Sequence, residues 1–155
     1  MLKILMVCLG NICRSPLAEG IMKHKIAAAG LSWQADSAGT GSWHVGDPPD
    51  PRSVAVAAKY EIDLTDQRAR QFTKKDFDRY DLIFAMDSSN YQDILRMAAA
   101  EKQKKKVKLI MNESQPGRNV TVPDPYWDDD GFEKVYQMLD RACEMIIENY
   151  RGHLS

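Results

Sequence analysis

Val7-Cys8-Leu9-Gly10-Asn11-Ile12-Cys13-Arg14-Ser15-Pro16 is the stretch on which the reading of this chain turns. The apolar run from Lys3 to Val7 before it predicts a short buried strand, bounded by Gly10-Asn11. After it, Ser15 as N-cap, Pro16 in the first turn and the negative charge of Glu19 predict a helix that runs to Ala29 and stops at Gly30. Gly10 and Asn11 tolerate positive φ, so the backbone between strand and helix can curl with several N–H groups pointing inward as an anion nest. The helix N-terminus adds partial positive charge at the same point. Arg14 can grip two oxygens of a phosphate with its planar fork, which a lysine does less well. The same groups favour Cys8 as a thiolate, because donors, a helix N-terminus and a guanidinium can depress a cysteine pKa by several units. Ser15 is placed to give its hydroxyl to that sulfur. The loop lacks a Gly-Lys-Ser/Thr ending, which excludes a nucleotide P-loop.

Working outward, 155 residues with 44% hydrophobic and 28% charged content fit one soluble domain over residues 1–155. A net charge of -1 gives no reason to expect nucleic acid or an anionic membrane as partner, so any bound anion must be held by a local site. The apolar opening Met1 to Val7 is too short and wrongly flanked for a signal peptide, and no stretch approaches the roughly 18 apolar residues that cross a bilayer. A cytoplasmic protein is expected. The 3 cysteines, Cys8, Cys13 and Cys143, have no scaffold spacing and suit a reducing compartment, with Cys143 a buried thiol in a helical apolar pattern. His24, His44 and His153 make no ligand spacing with them, so neither metal nor cofactor is expected.

Further strands are predicted over Trp33–Ser37, Asp81–Met86 and Val107–Met111. Between them, Asp50-Pro51 starts a helix to about Tyr60, Thr73 to Asp76 reads as a capping box for a short helix, and Asp87 caps a helix to about Ala100. Lys102 to Lys106 reads as a solvated connector. Beyond Asp128-Asp129-Asp130, read as a helix N-terminus, Phe132, Val135, Tyr136, Leu139, Ala142, Ile146 and Tyr150 recur at helical spacing. Strands separated by helices imply parallel crossovers: a three-layer α/β fold with a four-stranded parallel sheet flanked by helices. Ligands of such folds sit at the carboxyl ends of strands, which is where Cys8 stands.

The segment Cys8 to Pro16 resembles the signature of the low-molecular-weight protein tyrosine phosphatases. The likeness continues, in family order, through Asp36-Ser37-Ala38-Gly39-Thr40, Ala69-Arg70-Gln71, Met86-Asp87-Ser88-Ser89-Asn90 and Asp124-Pro125-Tyr126. The resemblance implies the phosphotyrosine protein phosphatase I-like fold and hydrolysis of phosphotyrosine in a protein substrate. It casts Cys8 as nucleophile, Asp124 as proton donor to the leaving oxygen and then base for water, and Arg14 as clamp on the equatorial oxygens. The loop residues Leu9, Gly10, Asn11, Ile12, Cys13, Arg14 and Ser15 would surround the phosphate, with Asn11 fixing the loop shape. From residue type alone Asp124 is more often a turn residue between its prolines. Trp43, Tyr126 and Trp127 either pack under their loops or, as the resemblance implies, wall a slot that admits a phenyl ring.

Three further expectations stand beside the resemblance. Cys13 lies close enough in sequence to form a reversible disulfide with Cys8. Many relatives carry a His in place of Gln67, where it supports the loop asparagine; Gln67 can still hydrogen-bond but would leave the loop looser. A monomer is expected. An arsenate reductase would need cysteines in the middle of the chain, and none lies between Cys13 and Cys143. Relatives that act on phosphoarginine carry a polar Thr at the place of Ile12, whose aliphatic side chain favours an aromatic substrate. A non-catalytic phosphate-binding module would not need Cys8, Arg14 and Asp124 together.

Overall fold

β1 (Lys3–Cys8) is apolar at nearly every position because both of its faces are buried. Ile4, Met6 and Cys8 enter one core cluster, and Leu5 and Val7 enter another on the opposite side of the sheet. The computed structural model describes residues 1–153. β1 pairs in parallel with β2 (Gln34–Gly39) on one side and with β3 (Leu82–Ala85) on the other. β4 (Val107–Leu109) pairs in parallel with β3, which completes a four-stranded sheet of order β2-β1-β3-β4. The predicted α/β class, sheet and strand count are therefore those observed.

Helices cover both faces. α1 (Arg14–Ala28), α2 (Pro51–Lys59) and α6 (Gly131–Tyr150) pack on the Ile4 side, while α3 (Asp76–Arg79) and α4 (Ser88–Met97) send Phe77 and Ile94 into the Leu5 side. α6 buries Phe132, Val135, Tyr136, Leu139, Ala142, Cys143, Ile146 and Ile147 along one face, and each large apolar side chain there contributes about 1.5–3 kcal/mol. The chain leaves β1 for β2 on one flank and later returns to β3 on the other. That reversal opens a crevice at the carboxyl end of β1. The loop after Cys8 begins in it.

Several local expectations need correction. α1 starts at Arg14, with Cys13 at the N-cap and no side-chain cap; Ser15 lies inside the first turn and spends its hydroxyl elsewhere. Glu19 is likewise no first-turn charge but a buried residue bonded to Ser37 and Lys23. β2 is displaced to Gln34–Gly39 because pairing with β1 carries Ala38 and Gly39 into the sheet whatever their own propensity. β4 stops at Leu109, and Ile110–Glu113 tightens into a 3-10 turn. Within the supposed connector, Glu101–Lys104 forms an exposed helical turn, α5, tied down by Gln103 accepting from the Ala99 N–H at 2.6 Å. Of the predicted capping box only half exists: Asp76 accepts from the Thr73 N–H at 2.8 Å, with no reciprocal side-chain cap.

Candidate active site

The backbone from Leu9 to Cys13 curls between β1 and α1, and neighbouring strands hold it there. Thr40 and Gly41 donate their N–H groups to the carbonyls of Cys8 and Leu9 at 2.9 Å each. Asn11 turns the loop with φ of 57°. Gly39 packs so closely beneath that a Cβ there would stand 2.7 Å from the Leu9 carbonyl oxygen and 3.1 Å from the Asn11 nitrogen. Backbone cannot retreat as a side chain can, so only glycine fits.

Under the loop, hydrogen-bond polarity is determined by one amide. The backbone N–H of Arg70 can only donate, so the Asn11 atom facing it at 3.0 Å must be Oδ1. Asn11 Nδ2 therefore donates to Ser15 Oγ at 2.8 Å and to Ser37 Oγ at 2.9 Å. Ser37, having accepted there, donates onward to Glu19 Oε1 at 2.6 Å. Ser15, likewise occupied as acceptor, keeps its proton for the Cys8 sulfur at 3.0 Å, with the Ala38 carbonyl a longer alternative at 3.4 Å. A thiolate at Cys8 can only accept, so Ser15 is its donor. Every side chain of this network is buried, which makes an unpaired partner costly.

Arg14 is fixed on the other side of the sulfur. Its Nη1 donates to Asp87 Oδ2 at 2.7 Å and to the Val122 carbonyl at 2.9 Å. Asp124 Oδ2 stands 3.9 Å from Nη2. Burial works against the charge of Arg14, but Cys8, Asp87 and Asp124 outweigh it and hold the guanidinium above its ordinary range. Asp87 thus does two jobs: Oδ1 caps α4 through the Asn90 N–H at 2.8 Å while Oδ2 aims Arg14. Sequence reasoning found only the cap, because the second partner stands at the start of α1, 73 residues away. The carboxyl of Asp124 itself is 41% exposed and faces the opening, and its Oδ1 accepts from the Tyr126 N–H at 3.1 Å.

These groups surround a cavity of about 280 Å³ lined by Cys8, Leu9, Gly10, Ile12, Cys13 and Arg14 at its base and by Trp43, His44, Asp124, Tyr126 and Trp127 above. Of the residues predicted around a phosphate, Asn11 and Ser15 do not line it; their side chains brace the loop from behind. The three predicted aromatics do line it, but unequally. Tyr126 is half-buried and meets Trp127 edge-on at 4.8 Å, whereas Trp43 is 73% and Trp127 87% exposed, so these two form a rim. Gly41 seats Trp43, since a Cβ there would fall 1.9 Å from the indole ring. His44 is a lining residue that sequence reasoning passed over, and it bonds Asp47 at 3.1 Å.

A sequence profile described as low molecular weight phosphotyrosine protein phosphatase matches residues 3–153. The chain belongs to that family. Against a low molecular weight protein-tyrosine-phosphatase from Streptomyces coelicolor, this family member is 41% identical over 154 residues, which cover 96% of this chain and 93% of the relative. A crystal structure of a protein tyrosine phosphatase from Entamoeba histolytica, with Hepes in its active site, superposes with a TM-score of 0.90 at 39% identity, covering 99% of this chain and 100% of the other. A structure named as a drosophila arginine phosphatase also superposes with a TM-score of 0.90, at 33% identity over 97% of this chain and 98% of its own.

As a phosphatase of this family, the chain departs from expectation at Gln67. Its Nε2 donates to the Pro16 carbonyl at 3.0 Å and its Oε1 is buried without a partner, so it braces α1; Asn11 is held by Ser15, Ser37 and Arg70 instead. Cys8, Cys13 and Cys143 are all free and buried. Burial first, then Asp50, Cys8 and Asp124, push the Cys13 thiol well above the ordinary thiol range. Among the described residues no group of His, Cys, Asp and Glu is arranged to hold a metal ion, and no helix is long and apolar enough to cross a membrane. The side chain of His153 lies outside those described.

Proposed function

We propose that this single-domain phosphatase hydrolyses phosphotyrosine in proteins through a phosphocysteine intermediate. The observation that carries the reading is the convergence on one cavity of the Cys8 sulfur, a hydroxyl proton directed at it from Ser15, and an Arg14 fork oriented by Asp87 and Val122. Cys8 attacks phosphorus and the bond to the phenolic oxygen breaks as Asp124 gives that oxygen its proton. Water then attacks the phosphocysteine, Asp124 takes the water's proton, and the thiolate leaves. Arg14 and the inward amides of residues 9–15 neutralise the equatorial oxygens throughout.

Ile12, Tyr126 and the Trp43–Trp127 rim support an aromatic substrate over phosphoarginine, since they offer the cavity apolar surface for a ring. The likeness to the arginine phosphatase makes the comparison worth measuring. On matched peptides, kcat/KM for phosphotyrosine is expected to exceed that for phosphoarginine; the reverse order would assign the other substrate. Cys8→Ser is expected to abolish turnover of p-nitrophenyl phosphate, and an unchanged rate would discard the nucleophile.

The protein substrate is expected to meet a monomer in the cytoplasm, where free cysteines persist. Peroxide is expected to join Cys8 to Cys13 in a disulfide that thiol reverses; a sulfonic acid on Cys8 as the sole product would refute it.

A further inference from the structure

We infer that Arg52 is a positioning residue that sets the orientation of the proton donor, Asp124, by bracing its loop against the phosphate-binding loop. The inference rests on the role proposed for Asp124 and goes beyond it by naming what aims that carboxyl.

Arg52 lies in the first turn of α2, and its guanidinium is divided between two structures. On one side, Asp50 Oδ1 accepts from Nε at 3.0 Å and Oδ2 from Nη2 at 2.9 Å. Asp50 is itself joined to the phosphate-binding loop, donating its N–H to the Ile12 carbonyl at 2.8 Å, and Ser53 adds a bond to the Cys13 carbonyl at 3.2 Å. On the other side, Nη2 donates to the Tyr126 carbonyl at 3.0 Å and Nη1 to Asp129. The guanidinium also stacks over the rings of Phe132 and Tyr126, 4.7 and 5.6 Å from their centroids.

The Tyr126 backbone is the link that matters. Its carbonyl is held by Arg52 while the N–H of the same residue holds Asp124 Oδ1 at 3.1 Å, which leaves Oδ2 facing Arg14 and the cavity. No other side chain among the described residues donates to the backbone of this loop between Asp124 and Asp130. Its remaining bonds, such as Asp128 N–H to the Pro125 carbonyl at 2.9 Å and Gly131 N–H to the Asp128 carbonyl at 3.0 Å, shape the turn and join it to α6 but do not tie it to the phosphate-binding loop. Removing the guanidinium therefore loosens the donor's loop at Tyr126 while the phosphate-binding loop keeps its bonds from the Asp50 backbone, Ser53, Asn11 and Gly41.

Proton donation is needed in proportion to how basic the departing oxygen is, and that dependence separates aim from general damage. For Arg52→Gln, kcat/KM for phenyl phosphate is expected to fall about tenfold, while kcat/KM for 2,4-dinitrophenyl phosphate, whose oxygen leaves without a proton, falls about twofold at most. kcat/KM is the right quantity because it excludes the later hydrolysis of the phosphoenzyme. The inhibition constant of inorganic phosphate is expected to stay within about twofold, since that anion reads only the lower loop. Equal losses on both substrates, a weakened phosphate constant or no loss at all would overturn the inference. Arg52→Lys, which keeps the charge without the fork, is expected to lie between, and it carries the same comparison should the Gln variant fail to fold. Asp124→Ala measured alongside separates the two readings: it must show the same leaving-group dependence more strongly. Its failure to do so would overturn the donor role itself and this inference with it.

Discussion

Asn11 concentrates more of the site's order than any other single residue of the loop. It supplies the left-handed turn at φ of 57°, and its amide dictates which way the protons of Ser15 and Ser37 point. Asn11→Ala would leave two hydroxyls without their donor and the Arg70 N–H without its acceptor, and would replace a residue that tolerates the left-handed region with one that does so less well, at a cost of roughly 2–4 kcal/mol. Urea unfolding should register that loss, and turnover should fall with it because Ser15 is no longer obliged to donate to sulfur. A stability within experimental error of the parent would contradict the proposed polarity. Asp124→Ala is expected to slow phosphotyrosine hydrolysis by roughly two to four decades, measured as kcat/KM. Cys8 and Arg14 were legible in the sequence because the chemistry of their loop is local. Asp87 was legible only as a cap, since its bond to Arg14 spans 73 residues and depends on how β3 lies beside β1.

At the scale of elements, the end of β2 acts as the bed of the Leu9–Cys13 loop. Gly39→Ala would force its methyl group against the Leu9 carbonyl and the Asn11 nitrogen. Phosphate inhibition should weaken by about tenfold or more, as the amides tilt out of register. The long apolar periodicity of α6 was readable because one face of it is core, whereas the bounds of β2 and β4 were not, because pairing with neighbours decides where a strand stops. α2 and α6 are clasped by Glu133, which accepts from Lys59, from Tyr60 Oη at 2.6 Å and from Gln137 Nε2 at 2.9 Å. Those bonds, Lys59 first, lower its carboxyl from the usual 4.5 to about 2. The unfolded chain therefore takes up this proton first, so the clasp stabilises the fold above pH 4.5 and is lost as pH falls toward about 2. Because the group is half-exposed, solvent screening keeps the effect below about 1 kcal/mol. Glu133→Gln should flatten the fall of the urea midpoint across that window; an unchanged slope would remove Glu133 from the acid limb.

For the whole molecule, the parallel sheet was predictable from alternating strand and helix patterns, and the crevice at its switch point follows from that order. What the sequence could not express is how three separate segments, around Cys8, Trp43 and Asp124, line one cavity while Gly39 and Asp87 hold its loop and its arginine from outside. A site assembled in this way should couple anion binding to global stability. Phosphate at about a hundred times its dissociation constant is expected to add about 2.7 kcal/mol, seen as a raised Tm. Arg14→Ala should erase that gain and Cys8→Ser should keep it, since the serine still leaves the amides and the fork in place. The most direct test of the chemistry is to quench Asp124→Ala during turnover of 2,4-dinitrophenyl phosphate, whose oxygen leaves without a proton, and locate the transferred group by mass spectrometry. A phosphoryl group on the Cys8 sulfur, absent when Cys8→Ser is added, is the expected result. Continued turnover with no phosphorylated cysteine, or a phosphoryl group on another side chain, would contradict it.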